Sequence, residues 1–243
     1  MKKVIICITA IFLLISVLTF GKDARVHGGN AMDYFNLGLE SSLTNKKIAY
    51  FTKALELDPG LALAYQKRGM FYYFQEKYDR VVEDYSNYLR LVSDSSDGHR
   101  MLGMAYLKTG DYNEAIINFD SAIALEPEMV AAYAYRAEAH RLSGKLQNAV
   151  DDATKAIALK GDPRIVSDAY RTRSRVYREV GQDTMADADF NHYFELNPRF
   201  VFYKYLSRYA SLEQMRTAGL FGLVGIAFIM IFGFRIKPPE KDE

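Results

Sequence analysis

Residues 103–127 read GMAYLKTGDYNEAIINFDSAIALEP, and the pattern of this stretch returns three more times in the chain. Its first, small residue recurs in steps of 34, 34 and 37 residues, at Gly69, Gly103, Ala137 and Ser174. A tyrosine or histidine follows each of them after three residues, and small, apolar or tyrosine positions follow after twelve and nineteen. Self-similarity at this period is typical of a solenoid built from helical hairpins.

The spacing of apolar residues predicts two helices in each unit. Within the quoted stretch, apolar side chains recur at intervals of three and four residues on both sides of the turn Thr109-Gly110-Asp111. This interval places them on one face of a helix. Units end at Pro59, Pro127 and Pro198, because proline cannot continue a helix. One hairpin cannot bury its apolar face alone, so neighbouring hairpins are expected to stack and share a core.

These residues resemble the tetratricopeptide repeat family, whose pattern is matched almost throughout residues 103–127. A further unit at 31–59 has a shortened first turn, and the four clear units cover residues 62–95, 96–129, 130–163 and 167–200. The resemblance implies an all-α solenoid of about five repeats over residues 31–198. It also implies a scaffold that binds proteins or peptides, and it leaves the partner open.

Comparison of the repeats with one another predicts ion pairs within the units. Three units carry an arginine one position before the small residue and an aspartate sixteen residues after that arginine. The predicted pairs are Arg68–Asp84, Arg136–Asp152 and Arg173–Asp189. In the remaining clear unit both charges are absent, and Leu102 and Asn118 occupy the two positions. A guanidinium suits this role because it can bond both oxygens of a carboxylate. Arginines that bind a ligand would need no internal partner, so a structural role is favoured.

Composition gives no indication of catalysis, of a cofactor or of nucleic-acid binding. The 243 residues carry a net charge of +1, a single cysteine and four histidines at unrelated repeat positions. We therefore predict no metal site and no internal disulfide. The sequence contains no glycine-rich phosphate loop and no arrangement of nucleophile and base, so we predict that the protein is not an enzyme. His140 replaces a ring of the core and is interpreted as packing.

Residues 1–21 are typical of a secretory signal or of an uncleaved signal anchor. Lys2 and Lys3 precede an apolar run from Val4 to Phe20. This run is long for a signal peptide and short for a membrane span, and Gly21 is small enough to precede a cleavage site. Both alternatives stay open. Residues 22–30 are predicted to be a flexible linker.

The C-terminal part of the chain predicts a membrane span. Residues 217–234 carry no charge and lie between Arg216 and Arg235. As a helix they would extend about 27 Å, enough to cross a thin hydrocarbon core. Residues 199–216, rich in tyrosine and basic side chains, are predicted to form a capping and juxtamembrane helix, and residues 235–243 a polar tail. Basic residues near both ends favour a cytoplasmic location for the ends and an extracytoplasmic one for the repeats.

In the tetratricopeptide family the first helices of successive units line a concave groove. Carried over position by position, the predicted groove residues are Gln66, Met70, Tyr73, Phe74, Arg100, Met104, Leu107, Lys108, Ala134, Glu138, Arg141, Leu142, Arg171, Arg175, Arg178 and Glu179. The predicted partner contacts among them are Tyr73, Phe74, Arg100, Lys108, Arg141, Arg171, Arg175 and Arg178. Between Arg164 and Arg178 the chain has five arginines and a single acid, Asp168. A groove that is apolar at one end and basic at the other would suit an acidic peptide or a C-terminal carboxylate. A solvated face, or contact with anionic lipid headgroups, is the alternative.

Three functions are compatible with these features. The favoured one is a membrane-tethered interaction scaffold that assembles or positions protein complexes of the cell envelope, with residues 199–234 in contact with lipid. The alternative is an accessory subunit of a membrane enzyme or transporter, docked through the transmembrane helix. A tail-anchored receptor that faces the cytosol is disfavoured by the apolar N-terminus. The lysine–asparagine clamp of the family's chaperone-tail receptors is replaced by Gln66 and Met70, so that specialised role is not predicted.

Overall fold

The computed structural model describes residues 29–196, and this part of the chain is helical throughout. Its ten helices are α1 (Ala31–Glu40), α2 (Thr44–Leu57), α3 (Ala62–Phe74), α4 (Tyr78–Leu91), α5 (Ser96–Thr109), α6 (Tyr112–Leu125), α7 (Val130–Leu142), α8 (Leu146–Leu159), α9 (Pro163–Glu179) and α10 (Asp183–Leu196). They form five consecutive hairpins, so the predicted all-α solenoid is confirmed for these residues.

The segments predicted at the two ends of the chain lie outside the described residues. They are the signal or anchor at 1–21, most of the linker at 22–30, the juxtamembrane helix at 199–216, the transmembrane helix at 217–234 and the tail at 235–243. Within residues 29–196, no helix combines the length and the apolar character that crossing a membrane requires.

Side-chain caps mark the start of α1 and of α9. Asn30 and Asp33 cap α1 reciprocally, because the side chain of each accepts a hydrogen bond from the backbone N–H of the other, at 3.0 and 2.9 Å. Asp162 caps α9 by accepting a bond from the N–H of Arg164 at 2.9 Å. Pro163 follows as the first helical residue, where a missing N–H costs nothing. The repeat pattern predicted that the last unit begins at residue 167. Its first helix begins at residue 163 instead.

The hairpins stack because the second helix of each one packs against the first helix of the next. In addition, α7 contacts α5 on one side and α9 on the other. The first helices of the last three hairpins therefore lie side by side, and α3 contributes to the same face. This face carries the candidate binding site described below.

A small residue lies where the two helices of a hairpin approach most closely. A Cβ atom built on Gly103 would lie 2.8 Å from the ring of Phe119, and Gly69 faces a tyrosine ring in the same way. No side chain fits there while the ring keeps its place. In the fourth hairpin both positions are alanine, and Ala137 and Ala153 belong to one buried cluster. In these hairpins the two positions share a limited volume, which is filled by glycine with a ring or by two alanines; the fifth hairpin carries Ser174 there together with the half-buried ring of Phe190.

The arginines and aspartates that recur in the repeats lie in direct contact in three hairpins. Each guanidinium bonds both oxygens of its carboxylate through Nε and Nη2. The pairs and their shortest N–O distances are Arg68–Asp84 at 2.6 Å, Arg136–Asp152 at 2.6 Å and Arg173–Asp189 at 2.7 Å. All three aspartates are buried, so each guanidinium compensates a charge that the core would otherwise not tolerate.

Each of these arginines also donates a hydrogen bond to the preceding hairpin, a contact that was not predicted from the sequence. The remaining nitrogen, Nη1, donates from Arg68 to Thr52 at 3.1 Å, from Arg136 to Asp120 at 2.5 Å and from Arg173 to Thr154 at 2.8 Å. The three acceptors lie on the second helix of the preceding unit. One guanidinium therefore joins three helices. A hydroxyl or carboxyl that recurs every 34 residues from Thr52 onward is the sequence signal for this contact.

The third hairpin, α5–α6, replaces this arrangement. Leu102 occupies the arginine position and is buried. Asn118 takes the aspartate position, donates to the carbonyl of Glu114 at 2.9 Å and contacts Nδ1 of His99 at 3.3 Å. Ser86 of the preceding hairpin occupies the position at which Thr52, Asp120 and Thr154 accept a hydrogen bond from an arginine, and it is exposed. The junction between the second and third hairpins therefore lacks the arginine that joins three helices at the others.

The composition of the core changes along the solenoid. The cluster from Phe35 to Ala105 is rich in buried phenylalanine, tyrosine and leucine. The cluster around Ala137 contains only alanine among its buried members. Because hydrophobic stabilisation scales with buried apolar area, we expect the N-terminal hairpins to contribute more of it than the C-terminal ones.

His140 predicts a dependence of stability on pH. Its ring is buried in the fourth hairpin, and Nε2 lies 3.6 Å from a carboxylate oxygen of Asp152. Burial lowers the pKa of His140 below its ordinary value; Asp152 and Asp120 oppose this effect, and Arg136 and Lys145 add to it. Below about pH 6.5 the unfolded chain therefore binds a proton that the folded chain does not. We expect the free energy of unfolding to fall as the pH drops through this range.

The substitution His140→Tyr should remove the contribution of His140 to the pH dependence of the free energy of unfolding. Tyrosine is chosen because the other clear units carry it at the same position. Thermal unfolding of both proteins, followed by circular dichroism from about pH 8 to about pH 5, measures the effect. The difference between the two proteins should change by at most about 1.4 kcal/mol per pH unit, the limit for one proton. Parallel pH profiles would contradict this role of His140.

Candidate protein-binding groove

The first helices of four hairpins form a groove with a volume of about 320 Å³. Every residue that lines it belongs to α3, α5, α7 or α9. The lining residues are Tyr73, Met104, Leu107, Lys108, Ala134, Tyr135, Glu138, Leu142, Asp168, Arg171 and Thr172. Eight of them were predicted from the sequence: Tyr73, Met104, Leu107, Lys108, Ala134, Glu138, Leu142 and Arg171.

The other predicted groove residues do not line this cavity. Arg100 bonds Asp97 on its own helix and approaches the sulfur of Met104 at 3.0 Å. Phe74 is exposed at the C-terminal end of α3. Arg178 turns to the second helix of its own hairpin, where its side chain lies over a phenylalanine ring. Arg141 and Arg175 take part in the charge network of Glu138.

Glu138 is the centre of this network. Its carboxylate accepts two hydrogen bonds from Arg141, at 2.8 and 2.9 Å, one from Thr172 at 3.0 Å and one from Arg175 at 3.3 Å. Burial opposes ionisation, but the bonds and charge of the arginines and the Thr172 hydroxyl lower the pKa of Glu138 below its ordinary value. Arg141 also bonds Glu179 at 2.9 Å. The network joins α7 to α9 across the floor of the groove.

The folded groove is not strongly basic at its C-terminal end, in contrast to the interpretation of the sequence. Each arginine of the predicted stripe contacts a carboxylate, in the pairs Arg171–Asp168, Arg175–Glu138 and Arg178–Asp187. Two of these acids come from helices other than α9. A count of charges along α9 alone therefore overestimated the positive charge of the groove.

Lys108 presents an accessible nitrogen donor to the groove. Lys108 is exposed, and in the described part of the chain its ammonium group forms no ion pair. Arg171 pairs with Asp168 through Nη2 at 2.8 Å, but its Nε is buried without a hydrogen-bond acceptor. Because this nitrogen has almost no accessible surface, a ligand atom does not reach it in this conformation. Lys108 is therefore the donor that favours a ligand with an acceptor, such as a carboxylate.

Two tyrosines contribute neutral polar surface to the groove. Tyr73 contacts Tyr78 edge-on with ring centres 5.6 Å apart, and Tyr135 stacks on Phe119 at 6.2 Å. Burial raises the pKa of Tyr73 to about 12, and it also raises the pKa of Tyr135. Both hydroxyls therefore stay protonated at neutral pH and can donate a hydrogen bond.

Tyr135, Asp168 and Thr172 line the groove but were not predicted from the sequence. Tyr135 and Thr172 occupy the same register in successive units, one residue after a predicted groove position. A comparison of repeats extended by one position would have found both. The groove thus combines apolar surface, neutral hydroxyls and paired charges, a set that suits non-covalent binding of a polypeptide. Residues 29–196 contain no group of acidic, histidine and cysteine side chains arranged to hold a metal ion.

Comparison with known proteins gives consistent results. The sequence profile of the tetratricopeptide repeat matches residues 67–124 and 100–163. Human tetratricopeptide repeat protein 36 is 30% identical over 132 residues, which cover 53% of this chain and 70% of that protein.

Solved structures share the fold. A MamA protein superimposes with a TM-score of 0.62 at 21% identity, covering 68% of this chain and 91% of its own. YrrB, described as a TPR protein with an unusual peptide-binding site, gives a TM-score of 0.61 at 22% identity and covers 78% and 97%. The repeat pattern, the stacked hairpins and these relatives agree: the chain belongs to the tetratricopeptide repeat family, whose members are generally scaffolds without enzymatic activity.

Proposed function

We propose that the protein is a protein–protein interaction scaffold that binds a segment of a partner protein in the groove and catalyses no reaction. The observation that carries this proposal is the accessible ammonium group of Lys108 in a groove whose other charges are paired. The peptide-binding site named for YrrB, which shares the fold, supports the assignment.

The charge balance of the groove favours an acidic group on the partner. Glu138 and Asp168 already contact arginines, so a basic ligand would have to break existing ion pairs. A single carboxylate placed near Lys108 forms a new pair and leaves no other charge without a partner. The partner segment therefore carries an acidic side chain or its own C-terminal carboxylate at this point.

Charge reversal at Lys108 tests the proposal. Lys108→Glu is expected to reduce recovery of native partners at least about tenfold, because attraction for the acidic group becomes repulsion. The measurement is quantitative mass spectrometry of proteins that co-purify with the detergent-extracted full chain. Lys155→Glu provides the control, since Lys155 is exposed on the second helix α8 and does not line the groove. Equal partner recovery by both variants would contradict binding in the groove.

We also propose that the scaffold is tethered to a membrane with its repeats outside the cytoplasm. The support is the sequence alone: the uncharged residues 217–234 between two arginines and the signal-like residues 1–21. Protease added to intact cells stripped of any outer layer should digest the repeats. Complete protection, or recovery of the full-length chain in the soluble fraction, would contradict this arrangement.

An accessory subunit of a membrane enzyme or transporter is the second candidate. It is supported by Ala218 and Gly222, small residues four positions apart in the predicted span, which would permit close packing against another helix. Substitution of both by leucine separates the two candidates. Loss of partner recovery in this variant, with recovery intact in Lys108→Glu, would favour docking through the membrane.

A further inference from the structure

The third hairpin replaces three side chains that recur together in the second, fourth and fifth hairpins. In those hairpins a tyrosine precedes the arginine of the buried ion pair by three residues. The guanidinium lies over the tyrosine ring, at 5.8, 5.4 and 5.6 Å from its centre. The positions of tyrosine, arginine and aspartate are occupied in the third hairpin by His99, Leu102 and Asn118. A titratable imidazole therefore lies in the one clear unit that lacks the guanidinium.

Both ring nitrogens of His99 face hydrogen-bond acceptors. Nδ1 lies 3.3 Å from Oδ1 of Asn118, and Nε2 lies 3.2 Å from the backbone carbonyl oxygen of Ser93. The amide nitrogen of Asn118 is already engaged, because it donates to the carbonyl of Glu114 at 2.9 Å. The oxygen of this amide therefore faces the ring. Neither neighbour of the imidazole can donate a hydrogen bond to it.

The protonation state of the ring decides how many of these bonds form. A neutral imidazole carries one N–H, so it donates to one of the two oxygens and turns the lone pair of its other nitrogen toward the second. An imidazolium carries an N–H on each nitrogen and donates to both oxygens. Hydrogen bonds from a charged donor are also stronger than those from a neutral one. The arrangement around His99 is therefore satisfied by the protonated ring.

The two bonds join the third hairpin to the segment that leads out of the second. Asn118 belongs to α6, whereas Ser93 lies between the end of α4 and the start of α5. His99 itself belongs to α5, which also contributes Lys108 to the groove. At the other junctions an arginine donates to the preceding hairpin. Protonated His99 places a cation with two bonds beside the junction that lacks this arginine.

The charged side chains near this site differ from His99 in their titration. Those within four residues of His99, Ser93 or Asn118 are Arg90, Asp94, Asp97, Arg100, Glu114 and Asp120. Asp97 bonds Arg100, and Asp120 bonds Arg136 of α7. Among the described residues none of them forms an ion pair with His99. Carboxylates and guanidiniums ordinarily keep their charge between about pH 5 and 8, whereas an imidazole changes its charge in this range.

We propose that His99 is a pH-dependent link between α6 and the segment at Ser93, complete when the ring is protonated and reduced to one bond when it is neutral. Its contribution is present at acidic pH and is lost as the pH rises through the range in which histidine titrates. This sign is opposite to that of His140. Loss of one bond loosens the start of α5, so the position of Lys108 in the groove is more firmly fixed at acidic pH. The inference does not depend on what the groove binds.

Hydrogen exchange measured by mass spectrometry provides the test. The full-length chain in lipid nanodiscs is compared at about pH 5.5 and about pH 7.5, the two sides of the range in which histidine titrates, with rates corrected for the pH dependence of chemical exchange. In peptides that cover residues 88–106, the open fraction of the amides should be about three- to tenfold larger at the higher pH. His99→Tyr should show the larger fraction at both pH values. His140→Tyr should keep the dependence on pH.

The chain also provides a variant that fixes the junction. His99→Tyr/Leu102→Arg/Asn118→Asp copies the fourth hairpin, where Tyr133, Arg136 and Asp152 occupy these positions. Its guanidinium can bond the new aspartate and the exposed hydroxyl of Ser86, the position that accepts this bond at the other junctions. Because neither bond depends on an imidazole, exchange in residues 88–106 should be slow at both pH values.

The outcomes decide the role of His99. Equal open fractions at both pH values in the wild type would overturn the inference. A dependence on pH that persists in His99→Tyr would assign it to another group and would overturn the inference as well. Asn118→Leu is the second route if His99→Tyr does not fold, because it keeps the ring and removes one acceptor. This variant should lose the dependence on pH, and its retention would show that the two bonds are not the cause.

Discussion

Replacement of Arg136 by methionine is expected to lower the free energy of unfolding by about 3–5 kcal/mol. The guanidinium bonds both oxygens of the buried Asp152 and also reaches Asp120 on the preceding hairpin. Burial opposes the charge on Arg136, but these two carboxylates raise its pKa above the ordinary value. Without the guanidinium, Asp152 would remain in the core as an uncompensated charge. Chemical denaturation followed by circular dichroism measures the loss.

The chain itself provides the matched control. The double variant Arg136→Leu/Asp152→Asn copies the third hairpin, where Leu102 and Asn118 occupy these positions. It removes the charge together with its partner and should therefore recover most of the stability that Arg136→Met loses. If the double variant is as unstable as the single one, the buried charge is not the cause of the loss.

Replacement of Phe119 by alanine is expected to cost about 3–5 kcal/mol. The ring is fully buried and packs over Gly103 and against Tyr135 of the next hairpin. Its removal leaves a cavity that the rigid helices close only in part.

The converse change, Gly103→Ala, should cost about 1–3 kcal/mol, because the new Cβ would lie 2.8 Å from the ring. Urea denaturation of the four proteins of the cycle measures both effects.

The two changes should couple. In the background of Phe119→Ala, Gly103→Ala meets no ring, so the double variant should be more stable than the sum of the single losses indicates. The fourth hairpin shows that the combination is acceptable, because Ala137 and Ala153 occupy both positions there. Strict additivity would show that the close approach of helix and ring does not limit the residue at 103.

Internal repetition explains why much of the fold could be predicted from a single sequence. Equivalent positions of different units have similar surroundings. Because the arginine and the aspartate are both absent in the unit with Leu102 and Asn118, the two residues were predicted to pair in the other units. The start of α9 was missed because Asp162 and Pro163 form a local cap that the repeat pattern does not contain. Repetition indicates what the units share, and it does not record where one unit departs from the rest.

The charge of the groove could not be predicted in the same way. The partners of its arginines come from helices that are distant in sequence, as Glu138 is from Arg175. Electrostatic balance is a property of the assembled face, and a count along one helix cannot give it. The contact of Arg136 with Asp120 also joins two different hairpins. It could have been predicted, because an acceptor recurs at the same position in the other units.

The absence of a bridging guanidinium at Leu102 has a mechanical consequence. Apolar contacts are non-directional, so rotation of one hairpin against its neighbour at this seam breaks no oriented bonds to an arginine. The seam lies between Phe74 on one side and Lys108 on the other. Rotation at this seam is therefore opposed by the packing of apolar side chains and not by an ion pair, so the resistance to it should depend little on ionic strength.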